Sequence, residues 1–172
     1  MMRKGLFIGI NHYTHVAPLN GCNNDAIAIN TRLIQANIKT YFDVLDPESQ
    51  TTDDITGVIT RNITACTHLI ALASDKTALS WWVPFEIGEA TISNRRICSF
   101  KTEPAELPLY LDKWPKLSTD KDLEFFIDAY REEVATKRSM TLDSINESLY
   151  GAYRRNAELF HDQLKNRIRR GF

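Results

Sequence analysis

The sequence predicts a three-layer α/β/α fold around a mostly parallel sheet of four or five strands, and three features predict it. Short continuous apolar runs recur, among them Gly5-Leu6-Phe7-Ile8-Gly9-Ile10 and Leu69-Ile70-Ala71-Leu72-Ala73. They lack the in-out alternation of a sheet with one wet face, so they fit strands buried on both faces. Between them lie segments with apolar residues at helical spacing, and polar, cap-forming loops separate the two kinds. This alternation implies βαβ units with right-handed crossovers. The expected arrangement is flavodoxin-like, with strand order 2-1-3-4-5 and a topological switch between strands 1 and 3.

Each element follows from local signals. Lys4–Ile10 is expected as the first strand, followed by a polar loop over His12–Asn20. Asn24 and Asp25 lead into a helix over Ala26–Gln35, with Ile27, Ile29, Leu33 and Ile34 apolar. Ile38–Leu45 reads as strand 2 and Asp46–Thr52 as a loop. Asp53 or Asp54 caps a helix running to about Ala65. Leu69–Ala73 is strand 3, Trp82–Ser93 the third helix and Arg96–Lys101 strand 4. The proline-bearing segment Glu103–Leu117 is expected to hold a short fifth strand near Leu109-Tyr110-Leu111. Ser118-Thr119-Asp120 then cap a helix from Lys121 to about Thr136. From Thr141 onward, Leu142, Ile145, Leu149, Ala152, Tyr153, Phe160, Leu164 and Ile168 recur at roughly helical spacing, and six Lys and Arg residues make the end basic. This predicts an appended amphipathic helix that packs on the domain or on a second copy.

Bulk properties narrow the function classes. A length of 172 residues suffices for one domain with a real core and an appended helix. A net charge of -1 points neither to nucleic acid nor to a membrane surface, and no apolar run is long enough to span a bilayer. The N-terminal apolar run is too short for a signal peptide. Cys22, Cys66 and Cys98 are odd in number and widely spaced, forming neither a disulfide framework nor a metal pair. A cytoplasmic location is expected, with the cysteines as buried small hydrophobes. His12 and His15 have no third metal ligand nearby; His68 and His161 read as structural. There is no G-x-G-x-x-G and no P-loop, so the phosphate fingerprints of dehydrogenases and NTPases are absent.

The segment Ser80-Trp81-Trp82-Val83-Pro84-Phe85-Glu86-Ile87-Gly88-Glu89-Ala90 is the most informative. Trp82 and Glu86, at i and i+4, share one helix face. The helix starts from the loop after strand 3, one of the two loops at the switch point, where open α/β sheets bind ligands. Trp81 reads as packing or rim, and Glu89 as a solvated or ion-paired residue.

This segment, with Thr67-His68-Leu69-Ile70-Ala71-Leu72-Ala73-Ser74 before it and Arg96-Ile97-Cys98-Ser99-Phe100 and Leu107-Pro108-Leu109-Tyr110-Leu111 after it, resembles a TIR domain of the bacterial enzymatic and defence type. The family pattern at this helix is a serine, an aromatic, then W-V-x-x-E, and enzymatic members use that glutamate to cleave NAD. The resemblance covers about residues 4–135 and implies a TIR domain over residues 1–137, followed by a helical extension over 138–172. The first strand departs from the family pattern. Gly9-Ile10-Asn11-His12-Tyr13 with Leu19-Asn20-Gly21-Cys22-Asn23-Asn24-Asp25-Ala26 resembles instead the start of a metacaspase-type protease. That family needs a His-Gly after one strand and a Cys after the next. Strand 3 here runs into Ser74-Asp75, and the Cys98 strand continues to Ser99-Phe100, so the protease reading is set aside.

By the TIR resemblance, Glu86 is the expected catalytic residue and Trp82 an apolar wall that positions a ring. Ser74 and Ser80 would bind ribose or phosphate, backbone amides of the His12–Thr14 loop would meet the pyrophosphate, and Ile10, Asn11 and His12 are expected substrate contacts. NAD is expected as substrate, with no separate cofactor and no metal. The product would be ADP-ribose or a cyclic isomer, in a setting like Thoeris-type antiphage defence, where a diffusible nucleotide reaches a partner effector. Homo-oligomerisation is implied; nucleic acid and membrane are not. The Asp46–Thr52 loop is either a self-association surface, as in other TIR domains, or a plain surface turn. Two alternatives stay open: a non-catalytic TIR adaptor, and a nucleoside deoxyribosyltransferase-like enzyme on the same type of sheet.

Overall fold

The computed structural model describes residues 4–9, 20–42, 54–73, 82–101, 107–139 and 149–172. Its elements are β1 (Lys4–Gly9), α1 (Asn20–Gln35), β2 (Thr40–Phe42), α2 (Ile55–Ala65), β3 (Cys66–Ala73), α3 (Trp82–Ile92), β4 (Arg96–Lys101), a 3-10 turn (Leu109–Leu111), β5 (Lys116–Leu117), α4 (Asp120–Ser139) and α5 (Leu149–Arg170). The five strands form one sheet in the order β2-β1-β3-β4-β5, and every described pairing is parallel. Gly9 aligns with Ala71, Ala71 with Ser99, and Ala73 with Lys101, so β1, β3 and β4 end at similar heights. The predicted α/β, flavodoxin-like class and strand order are those observed.

The sheet is covered on both faces. Beneath α1, α4 and α5, the side chains of Ile70, Leu72 and Cys98 pack with Leu33, Phe126, Ile127, Phe160 and Leu164. Beneath α2 and α3, Leu69, Ala71, Ala73 and Ile97 pack with Ile59, Ile63, Val83, Ile87 and Ala90. Six consecutive buried residues close β3, which explains its unbroken apolar run.

Local chemistry sets the ends of the elements. The Asp54 carboxylate accepts from the Gly57 N–H at 3.0 Å and caps α2. A Cβ on Gly57 would come within 2.2 Å of that carboxylate, so glycine permits the close approach. Thr119 and Asp122 cap α4 reciprocally: Thr119 Oγ1 accepts from the Asp122 N–H at 3.1 Å, and the Asp122 carboxylate accepts from the Thr119 N–H at 3.0 Å. α1 and α3 both end at an asparagine in the left-handed region, Asn37 at φ 60° and Asn94 at φ 52°. Beyond each, the next N–H reaches back into the last turn, Ile38 to the Leu33 carbonyl at 2.9 Å and Arg95 to the Ala90 carbonyl at 2.8 Å.

Several boundaries differ from the sequence reading; β3, for one, starts at Cys66, ahead of Leu69. α1 starts at Asn20, earlier than Ala26. Leu109-Tyr110-Leu111 form a 3-10 turn, and the fifth strand lies at Lys116–Leu117. Pro108 starts this turn, and the Leu111 and Asp112 N–H groups bond back to Pro108 and Leu109, which consumes the donors a strand would offer its neighbour. The C-terminal helix begins at Leu149, and α5 packs against α4 and β4.

β5 reaches only the second half of β4, pairing with Ser99 and Phe100. The preceding outward N–H, on Ile97, donates instead to Nε2 of His161 on α5 at 2.8 Å. A helix side chain thus completes the hydrogen bonding of a strand edge. Around it, Glu133 of α4 pairs with Arg96, and its carboxylate lies 3.1 Å from Nε2 of His68. Phe126, Tyr130 and Phe160 surround the His68 ring.

Candidate active site

β3 ends at Ala73 and α3 starts at Trp82, so the first turns of α3 stand at the carboxyl ends of the central strands. Val83, Glu86, Ile87 and Ala90 form the buried face of α3. Glu86 alone on that face is ionisable, and it is 2% exposed. A carboxylate in that position carries a desolvation cost that an ordinary surface helix avoids. Trp82, one turn earlier, is half-buried and meets Phe85 edge-on, with ring centroids 6.0 Å apart. Glu89, one turn on, is half-buried.

Tyr110 joins this group. The 3-10 turn after β4 is anchored by buried Leu111, and Tyr110 beside it is partly exposed. Burial, and then the negative charge of Glu86, raise the Tyr110 phenol above its ordinary range. The phenol therefore lies within the electrostatic reach of Glu86. The sequence reading missed this residue because it took the segment for a strand. The signal was present: a proline followed by apolar residues, just after a parallel strand, belongs to the sheet end where ligands bind.

Of the expected site residues, Glu86 and Trp82 lie on the first turns of α3. Ile10, Asn11, His12, Ser74 and Ser80 lie outside the described residues. No group of three or more His, Cys, Asp or Glu side chains is arranged to hold a metal among the described residues. No helix among them is long and apolar enough to cross a membrane.

A caspase-domain family model matches residues 2–81. The match ends one residue before α3 and does not reach β4. Cys98 lies in mid-strand and is fully buried, and burial pushes its thiol far above the usual cysteine range. Such a thiol is inert rather than nucleophilic. Among curated proteins, none matches. Among solved structures, the chain is similar to the TIR domain of the Toll-related receptor TRR-2 from Hydra magnipapillata, at a TM-score of 0.52 and 18% identity over 77% of this chain and 95% of that one. The two share a fold: in this chain, a five-stranded parallel sheet in the order 2-1-3-4-5, flanked by helices on both faces.

Proposed function

We propose that this protein is an NAD-consuming TIR enzyme that cleaves the nicotinamide–ribose bond and releases nicotinamide. One observation carries the proposal: a glutamate in the W-V-x-x-E frame, 2% exposed, on the first turns of the helix that starts at the carboxyl ends of the central strands. Core packing alone does not call for a carboxylate there.

The chemistry needs little else. NAD carries a positively charged nicotinamide on ribose C1′. When the C–N bond breaks, its electron pair moves to the ring, which leaves neutral and needs no proton. Positive charge grows at C1′. One carboxylate suffices, unlike the pair used by ordinary glycosidases. Glu86 would stabilise that charge and hydrogen-bond a ribose hydroxyl, an effect strengthened by its dry surroundings. Trp82 would hold the leaving ring. Water attack at C1′ gives ADP-ribose and a released proton; attack by a ribose hydroxyl or by adenine gives a cyclic isomer. Either product suits a diffusible signal in antiphage defence that acts on a separate effector.

The test is NAD incubation of the purified protein and Glu86→Gln, with nicotinamide and the second product separated by chromatography and mass. Turnover by the wild type alone, with at least a hundredfold loss in the variant, is expected, in line with losing a principal electrostatic group. Equal turnover by both would remove Glu86 from the mechanism. The likeness to a receptor TIR domain favours a second reading, a non-catalytic module that acts by assembly. In that case neither protein turns over NAD, including in lysate from phage-infected cells, and Glu86→Gln leaves function intact.

A further inference from the structure

At the far end of α3 from Glu86, a cavity of about 290 Å³ opens between the α3 C-terminus, the Lys113–Trp114 turn and α5. That volume is at the small end of ligand sites. Its lining combines two cations, Arg95 and Lys113, with Asn94, the buried Trp114, His161 and one carboxylate, Glu158.

The walls are held in place. A guanidinium nitrogen of Arg95 donates to the Thr64 carbonyl at 2.9 Å, which fixes the arginine. Lys113 Nζ stands 5.6 Å from the centre of the Trp114 ring. Lys165 of α5 donates to the Lys113 carbonyl and brings a third cation to the same turn. Because His161 Nε2 accepts from Ile97, the proton of the neutral ring is on Nδ1, which makes that nitrogen a donor. Burial first, and then Lys165 and Arg96, push the His161 imidazole down to about 4, in keeping with a positive local field.

We propose that this cavity binds a small phosphate-bearing ligand, with Arg95 and Lys113 as its charged contacts. The site is separate from the Glu86 face, and the proposal does not depend on NAD cleavage. Fixed donors and an excess of cations over carboxylates suit an oxyanion. The cavity's size limits the ligand to inorganic phosphate or about one mononucleotide.

The test is calorimetric titration of the full chain with inorganic phosphate, AMP and nicotinamide, while the Trp114 indole N–H resonance is followed. Saturable binding of phosphate or AMP tighter than about 1 mM is expected, with that resonance shifting. Lys113→Gln, at an exposed position, and Arg95→Gln should each weaken binding about tenfold or more, the effect of removing one charge-assisted hydrogen bond. AMP binding well above phosphate identifies a nucleotide, and equal affinity a free phosphate. Nicotinamide binding without either anion, no saturation by any of the three, or anion affinity unchanged in both variants overturns the proposal.

Discussion

At the scale of single residues, what sets Glu86 apart is its surroundings. Its helical neighbours on the inner face are valine, isoleucine and alanine, and a tyrosine from a distant turn senses its charge. This makes Tyr110 a reporter. Its phenol ionises above the ordinary tyrosine range because burial and then Glu86 both disfavour the phenolate. In Glu86→Gln the second cause disappears while burial remains. The Tyr110 midpoint should therefore fall but stay above that of a free tyrosine, as read by ultraviolet difference titration against Tyr110→Phe. An unchanged midpoint would separate the two residues. A second residue-scale prediction concerns Gly57. Alanine there would push the Asp54 carboxylate off the N-terminus of α2, costing about 1 kcal/mol in urea denaturation, the usual worth of a cap. Alanine's helix propensity over glycine works against this loss, so only a clear stabilisation by Gly57→Ala would mean the cap contributes nothing.

At the scale of elements, α5 is the cover of a sheet edge. The short β5 leaves the Ile97 N–H facing outward, and His161 accepts it. A buried N–H without a partner costs about 1–3 kcal/mol, so His161→Ala should lose roughly that much at pH 7. Acid should act on the same contact. The folded pKa of about 4 lies below the ordinary histidine value of 6.5, so the unfolded chain binds the proton more readily. The stability from neutral His161 is complete above pH 6.5 and declines as pH falls toward 4, by about 3 kcal/mol at most. Denaturation of wild type and His161→Ala across this range should show the wild type losing more. Parallel curves would rule out this linkage.

At the scale of the whole molecule, β3, β4, α4 and α5 meet at one buried ionic centre. Arg96 and His68, each almost fully buried, share Glu133 of α4, and Phe160 of α5 closes over the histidine. Breaking one partner of a buried pair leaves a charge without compensation, so Glu133→Ala should cost about 3–5 kcal/mol. Arg96→Met combined with Glu133→Leu removes both charges and should recover much of that loss, since a buried pair contributes little net stability over apolar packing. Thermal unfolding of the three proteins checks this. A double variant as unstable as Glu133→Ala would show that the centre specifies more than charge balance. The homo-oligomer that the TIR resemblance implies belongs to this scale too: light scattering that shows a strict monomer with full NAD turnover would rule it out.

The sequence alone was enough to establish the class of fold and the order of its strands. Apolar runs at β3 and β4, buried on both faces, and capped amphipathic segments between them are local signals that one topology satisfies. It also drew attention to Glu86, through the W-V-x-x-E resemblance together with its place on the helix that follows a central strand. What it could not reveal were contacts between residues far apart in the chain. Tyr110 meets the field of Glu86, His161 completes the edge of β4, and Glu133 is shared by Arg96 and His68. Each depends on how separate elements dock, and no periodicity or spacing encodes that. The 3-10 turn at Leu109–Leu111 was misread for a related reason. Three apolar residues after a proline suit a strand or a turn equally, and the burial of Leu111 in the core shared with α2 and α3 decided between them.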